Sequence, residues 1–245
     1  MNLFLKLAFL FFIGSVSGWV LELFFRRFFS SANPERKWIN PGFCTGPYLP
    51  LYGSGLCILY LIALLEDRHF IQNLFWNKVL LFVLMAVCMT AIEYVAGIVS
   101  LKHNKVRLWD YTNQWGNIQG VICPKFSAIW AAIGAAYYFL IHPYILDAIA
   151  WLTQNLAFSF VIGLFFGVFI VDAVQSAQII TKLKRYADEN KVIVRYEVVK
   201  AEIRKHNEAA KQKYHFFRPF HTELPLGEHL KELKLSFEQR KNARK

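Results

Sequence analysis

Gly18-Trp19-Val20-Leu21-Glu22 and Thr90-Ala91-Ile92-Glu93-Tyr94 each set one carboxylate inside a long apolar run. A basic stretch and a glycine-containing turn follow each time. After the first comes Trp38-Ile39-Asn40-Pro41-Gly42-Phe43-Cys44, with Pro47 beyond it. After the second comes Trp115-Gly116-Asn117-Ile118-Gln119-Gly120-Val121-Ile122-Cys123-Pro124. An acid within a membrane helix is costly to bury, which makes it a site candidate by default. Two acids at matching places point to a duplicated scaffold with a site between the copies.

The apolar runs around these motifs set the class. Of 245 residues 56% are hydrophobic and 23 are Phe, and the apolar residues gather into stretches near the ~20 residues that cross ~30 Å of hydrocarbon. The expected fold is therefore all-α: a polytopic helical membrane protein with about five transmembrane helices. The spans read as Leu3–Phe25, Tyr48–Leu65, Val79–Leu101, Phe126–Ile145 and Leu156–Ile180. Lys6 before an apolar run and Ser15-Val16-Ser17-Gly18 imitate a signal peptide. Because the run continues through Trp19 to Phe25 and Glu22 belongs to the repeat, the expectation is an uncleaved first helix.

Charge gives an orientation. Arg26, Arg27, Arg36 and Lys37 follow the first span, Lys102, Lys105 and Arg107 the third, and Lys182, Lys184 and Arg185 the fifth. The connection after the fourth span has no Lys or Arg, and the one after the second has Arg68 beside Glu66 and Asp67. The positive-inside rule then sets the N-terminus outside and the C-terminus inside. Spans one and two (1–66) and spans three and four (78–145) form tandem parallel repeats, 156–180 is a fifth helix, and 1–180 is one transmembrane domain. A pseudo-two-fold axis along the membrane normal follows from equivalent helices running parallel.

The tail, 181–245, is a basic cytoplasmic segment. Helical stretches are expected around Arg195–Tyr214 and Gly227–Arg240, with Leu230, Leu233 and Phe237 at amphipathic spacing. The net charge of +11 suits anionic lipid headgroups at the inner leaflet, and no nucleic-acid-binding motif accompanies it. The four cysteines, Cys44, Cys57, Cys88 and Cys123, lack C-x-x-C pairing and His ligand spacing, so no metal, disulfide framework or cofactor is expected.

Gly14, Gly18 and Glu22 share one helix face, and Ala86, Thr90, Glu93 and Gly97 form a similar stripe. Small residues there admit a second helix, so both acids would point into the bundle. Arg26, one turn after Glu22, offers the alternative of a simple ion pair. A structural, hydrogen-bonded acid is the alternative for Glu93. Asp172 shares its face with Gln175, Ser176 and Ile179, and a capping role competes there with a site role. The Pro/Gly-rich run Asn40 to Gly55 cannot be regular helix throughout, and irregular backbone at membrane depth must be buried or line a wet cavity. Its alternative is a turn at Asn40 with Pro47 and Pro50 opening the second helix. The candidate substrate-binding set is Glu22, Glu93, Asn40, Gly42, Asn117, Gly120, Asp172, Trp109 and Asp110. No catalytic residue is assigned.

At these motifs the chain resembles a bacterial membrane-protein family known as CmpB-like, ABC-transporter type IV permeases. Gly18-Trp19-Val20-Leu21-Glu22 carries the resemblance, together with Asn40-Pro41-Gly42-Phe43 and Gly46-Pro47-Tyr48-Leu49-Pro50-Leu51-Tyr52-Gly53. Trp109-Asp110-Tyr111-Thr112, Asn117-Ile118-Gln119-Gly120 and Asp172 complete it. It implies a multi-pass protein of the bacterial plasma membrane with a transport function. No Gly-x-x-x-x-Gly-Lys-Ser/Thr loop is present, so an ATPase would be a separate subunit docking on the inner connections. Small-residue stripes such as Gly163-x-x-x-Gly167 would also serve a homo-oligomer.

Three function classes follow. The first is a permease-like transport component with Glu22 and Glu93 lining a polar site between the repeats. The second is a membrane-embedded enzyme acting on a lipid or prenyl-linked substrate, with Trp109, Asp110, Tyr111, Asn117 and Asn40 around a headgroup. The third is a non-catalytic regulator or scaffold acting through the basic tail.

Overall fold

The computed structural model describes residues 2–30, 33–66, 70–201 and 228. Helices α1 (Leu3–Phe28), α2 (Pro50–Ala63), α3 (Leu74–Asn104), α4 (Pro124–Ala136), α5 (His142–Gln154) and α6 (Ser159–Asn190) carry the described fold. The expected helix around Gly227–Arg240 lies outside the described residues apart from Glu228.

Among the described residues, four helical stretches are long and apolar enough to cross a membrane: Leu3–Phe28, Leu74–Asn104, Pro124–Gln154 and Leu156–Asn190. The expected second span is realised as the 14-residue α2, about 21 Å at 1.5 Å per residue. It starts late because the chain turns at Pro47, with Tyr48 N donating to Gly46 O at 2.9 Å, and Pro50 keeps Leu49 extended; Pro50 takes the first helical position, where its missing N–H is no loss. Pro124 opens α4 the same way. Between α4 and α5 the chain widens into a π turn, Tyr137–Ile141. Pro143 explains it: a proline inside a helix has no N–H for the preceding turn and its ring pushes that turn open.

Side-chain size decides how closely the helices meet. α1 packs along α2, and α3 along α4. A Cβ on Gly18 would stand 2.3 Å from the Tyr52 ring, and one on Gly14 would stand 2.8 Å from Leu56. The glycine stripe thus lets α2 lie directly on α1, as the small-x-x-x-small spacing predicts. Leu10, Leu59, Leu81, Met85, Met89, Trp130 and Leu152 form the main core between the helices. Outward, α3 and α6 expose Val83, Val87, Val95, Val99, Phe160, Leu164, Val168 and Val171. Such a belt of large apolar side chains suits hydrocarbon and would be a liability in water.

A second, smaller cluster closes one end. It joins Ile180, Leu183 and Ala187 of α6 to Val106, Val194, Tyr196 and Val199. Here β1 (Val106–Arg107) and β2 (Val194–Arg195) pair in parallel, Val106 opposite Val194. The chain departs from the expected tail helix at Arg195, which is in β2; residues 196–201 are helical.

Candidate functional site

Glu93 is the most secluded acid of the sequence-predicted set. It faces the α3–α4 interface and is 3% exposed. The Tyr111 hydroxyl donates to its Oε1 at 3.0 Å. Burial and the neighbouring Glu93 carboxylate push the Tyr111 phenol upward, which keeps that proton on the donor. Tyr111 is itself fixed by stacking on Phe126, ring centroids 4.3 Å apart. The Trp130 indole is directed at the same carboxylate. Oε2 nevertheless has no well-formed hydrogen bond, although it is buried. A buried carboxylate oxygen that lacks a well-formed hydrogen bond costs free energy, so this atom calls for an explanation.

Glu22 sits on α1 toward the same centre, and its charge is felt at Glu93 and Tyr111. Its Oε1 receives Arg26 Nε at 3.0 Å, and its Oε2 receives the Tyr52 hydroxyl at 3.1 Å. The Tyr52 ring rests on Trp130 at 5.2 Å, so an aromatic pair links the two acids. Both readings of Glu22 therefore hold at once: it pairs with Arg26, and it faces the bundle.

The other candidates form two further groups. In the first, every polar atom of the Asn40 side chain is engaged. Its Oδ1 accepts from Trp19 Nε1 at 2.9 Å and from Gly42 N at 3.0 Å. Its Nδ2 donates to Cys44 O at 3.3 Å and to Thr45 O at 3.0 Å. This fully buried amide gives the loop a fixed shape, and Gly42 is where the chain folds back on it.

Asp172 anchors the same loop from α6. It accepts from Thr45 N at 3.1 Å, Thr45 Oγ1 at 2.6 Å, Gly46 N at 2.8 Å and Ser176 Oγ at 3.2 Å, and from the Tyr48 hydroxyl. Five donors surround one carboxylate. Cys44 lies beside it, and burial, then the Asp172 charge, pushes its thiol up to about 12. That is the opposite of an activated nucleophile.

The third group shapes the connection between α3 and α4. Asn117 Nδ2 donates to Thr112 O at 3.1 Å and Gln114 O at 2.9 Å, while its Oδ1 accepts from Gly120 N at 3.0 Å. Gly120 has φ +66°, and a Cβ there would meet Arg107 Nη1 at 2.2 Å, so glycine is required on both counts. Trp109 packs on Gly97 and donates to Val121 O at 2.8 Å. Asp110 accepts from the Thr112 hydroxyl at 2.7 Å and pairs with Arg107 at 3.4 Å and Arg195 at 3.1 Å. Burial works against its charge, but the Thr112 bonds, then Arg195 and Arg107, outweigh it and hold Asp110 below the usual carboxylate range.

Glu22 and Glu93 thus share one centre, while the two Asn/Gly loops stand beside it with their amides spent on their own backbones and, for Asn40, on the Trp19 indole as well. Sequence reasoning did not single out Tyr52, Trp130 or Lys200. Tyr52 and Tyr111 had a signal, since each sits in a quoted motif. Trp130 had none beyond its place in an apolar helix. Lys200 Nζ donates to Asn40 O at 2.8 Å and Gly42 O at 3.2 Å from 158 to 160 residues away, which no local pattern reveals. Among the described residues, no group of three or more His, Cys, Asp or Glu is placed to hold a metal ion.

Neither the curated proteins nor the solved structures contain a match to the chain. One family model does match, over residues 9–177, a stretch that runs from within α1 to within α6 and takes in every candidate site residue. The chain therefore belongs to the family described as putative ABC-transporter type IV.

Proposed function

We propose that the protein is a membrane transport component whose working centre is the polar cluster of Glu93, Tyr111, Trp130, Tyr52, Glu22 and Arg26 between the α1–α2 and α3–α4 hairpins. The family description supports the transport reading. The observation that carries the site is Glu93 Oε2, a buried carboxylate oxygen without a well-formed hydrogen bond. Intramembrane acids of this kind mark ion and substrate paths. The two hairpins act as tandem repeats, with the N-terminus outside and the basic connections inside, at the plasma membrane. Without a phosphate-binding loop of its own, the chain takes energy from a separate ATPase subunit docking on those connections.

The test is a pair of amide substitutions in the native cell, Glu93→Gln and Glu22→Gln, scored for phenotype alongside membrane abundance. Glu93→Gln keeps shape and the Tyr111 bond while removing the ionisable group. Loss of function at normal abundance is expected, with the larger loss at Glu93. Full function in the double variant overturns the paired-acid site.

A further inference from the structure

We propose that residues 191–200 form a latch that closes one end of the bundle over the Asn40–Gly46 loop and opens as one unit, with Arg26 coupling its closure to Glu22. The coupling rests on the site proposed above; the opening does not.

The segment begins at Lys191, a left-handed residue with φ 52° that ends α6 and turns the chain back. It then touches both hairpin connections in ten residues. Val194 N donates to Lys105 O at 3.0 Å, and Arg195 reaches Asp110 at 3.1 Å, both on the α3–α4 side. The Tyr196 hydroxyl donates to Phe43 O at 3.2 Å, and Lys200 Nζ spans Asn40 O and Gly42 O on the α1–α2 side. Between them Glu197 Oε2 meets Arg26 Nη1 at 3.1 Å, while Arg26 Nε holds Glu22 at 3.0 Å.

The physics favours opening as a unit. The apolar contacts of the latch belong to the small end cluster and not to the main core. Its ladder is two residues long. A segment whose buried apolar residues, Val194, Tyr196 and Val199, pack in a cluster separate from the main core can open locally at less than the global unfolding cost. When Glu197 leaves, Arg26 keeps a single carboxylate, Glu22. The state of the latch is thus written into the charge environment of the acid pair.

Cys44 reports the opening, because it is 1% exposed within the loop that the latch covers and lies near Tyr196. The experiment uses the full chain in lipid vesicles with Cys57, Cys88 and Cys123 changed to Ala, and follows maleimide labelling of Cys44. A companion chain keeps Cys57 alone as a marker of the main core. Lys200→Met and Glu197→Gln are each expected to speed Cys44 labelling about tenfold, with Cys57 unchanged, since labelling follows the open population. Glu22→Gln is expected to slow Cys44 labelling, because Arg26 then serves Glu197 alone. An unchanged Cys44 rate in Lys200→Met, or Cys44 and Cys57 rising together, overturns the latch. An unchanged rate in Glu22→Gln overturns the coupling.

Discussion

Thr45 meets Asp172 twice, through its backbone N–H at 3.1 Å and its hydroxyl at 2.6 Å, across 127 residues of chain. This pair ties the irregular approach to α2 onto α6, and with Gly46, Tyr48 and Ser176 it gives the carboxylate five donors. The loop beside the acid pair is held from outside its own hairpin.

That arrangement predicts graded losses. Thr45→Val removes one hydroxyl bond to a charged acceptor and should cost about 1.5–3 kcal/mol, whereas Asp172→Ala strands several buried donors and should cost more. Thermal unfolding of purified protein in detergent ranks the two. A smaller loss in Asp172→Ala than in Thr45→Val would contradict the anchoring role.

Two glycines on different faces should behave oppositely. Gly18→Ala drives a methyl into Tyr52, whose ring would be 2.3 Å away, and over-packing of this kind costs about 1–3 kcal/mol. Gly163 has nothing within 4 Å of its would-be Cβ, so Gly163→Ala should be neutral or slightly stabilising. The same melting assay reads both, and equal effects would refute the close α1–α2 contact.

Asp110 predicts an acid limit. Its folded pKa is depressed, so its contribution is fully present above the unfolded value, about 3.9, and is lost as pH falls through the lower folded value. Stability should therefore drop below about pH 4, and Asp110→Asn should be less stable at neutral pH with a shallower acid decline. Melting curves at stepped pH check this; a parallel decline in both chains argues against Asp110 being held charged by Thr112, Arg195 and Arg107.

Lys105 and Lys191 both end long helices in the left-handed region, with φ 55° and 52°. A non-glycine residue there carries roughly 1–2 kcal/mol of strain that glycine does not. Lys105→Gly and Lys191→Gly should thus gain up to about 1 kcal/mol each. Two losses in the melting assay would mean that the lysine side chains contribute more than their backbones cost.

Much of the fold was legible because membrane helices announce themselves by length and apolarity. All five expected stretches are mainly helical, but among the described residues four are long enough to cross a membrane, and the second is the shorter α2, Pro50–Ala63. The Gly14–Gly18 stripe was legible for a related reason: a missing side chain leaves a mark in the sequence at helical spacing. Asn40 and Asn117 were found as loop markers, yet their use was not visible. Whether an amide faces a ligand or its own backbone depends on how the chain folds back within the loop.

The sequence by itself determined the all-α membrane class, the places of the buried acids and the glycines that let helices touch. These follow from hydrophobic periodicity and side-chain size, which are local quantities. Only the tertiary structure decided what most of the polar groups do: Glu93 beside Tyr111, Asp172 beneath Thr45, Glu197 on Arg26, Lys200 on Asn40. A hydrogen bond acts over about 3 Å, so its partner is set by which distant segments meet, and no local spacing in a chain encodes that meeting.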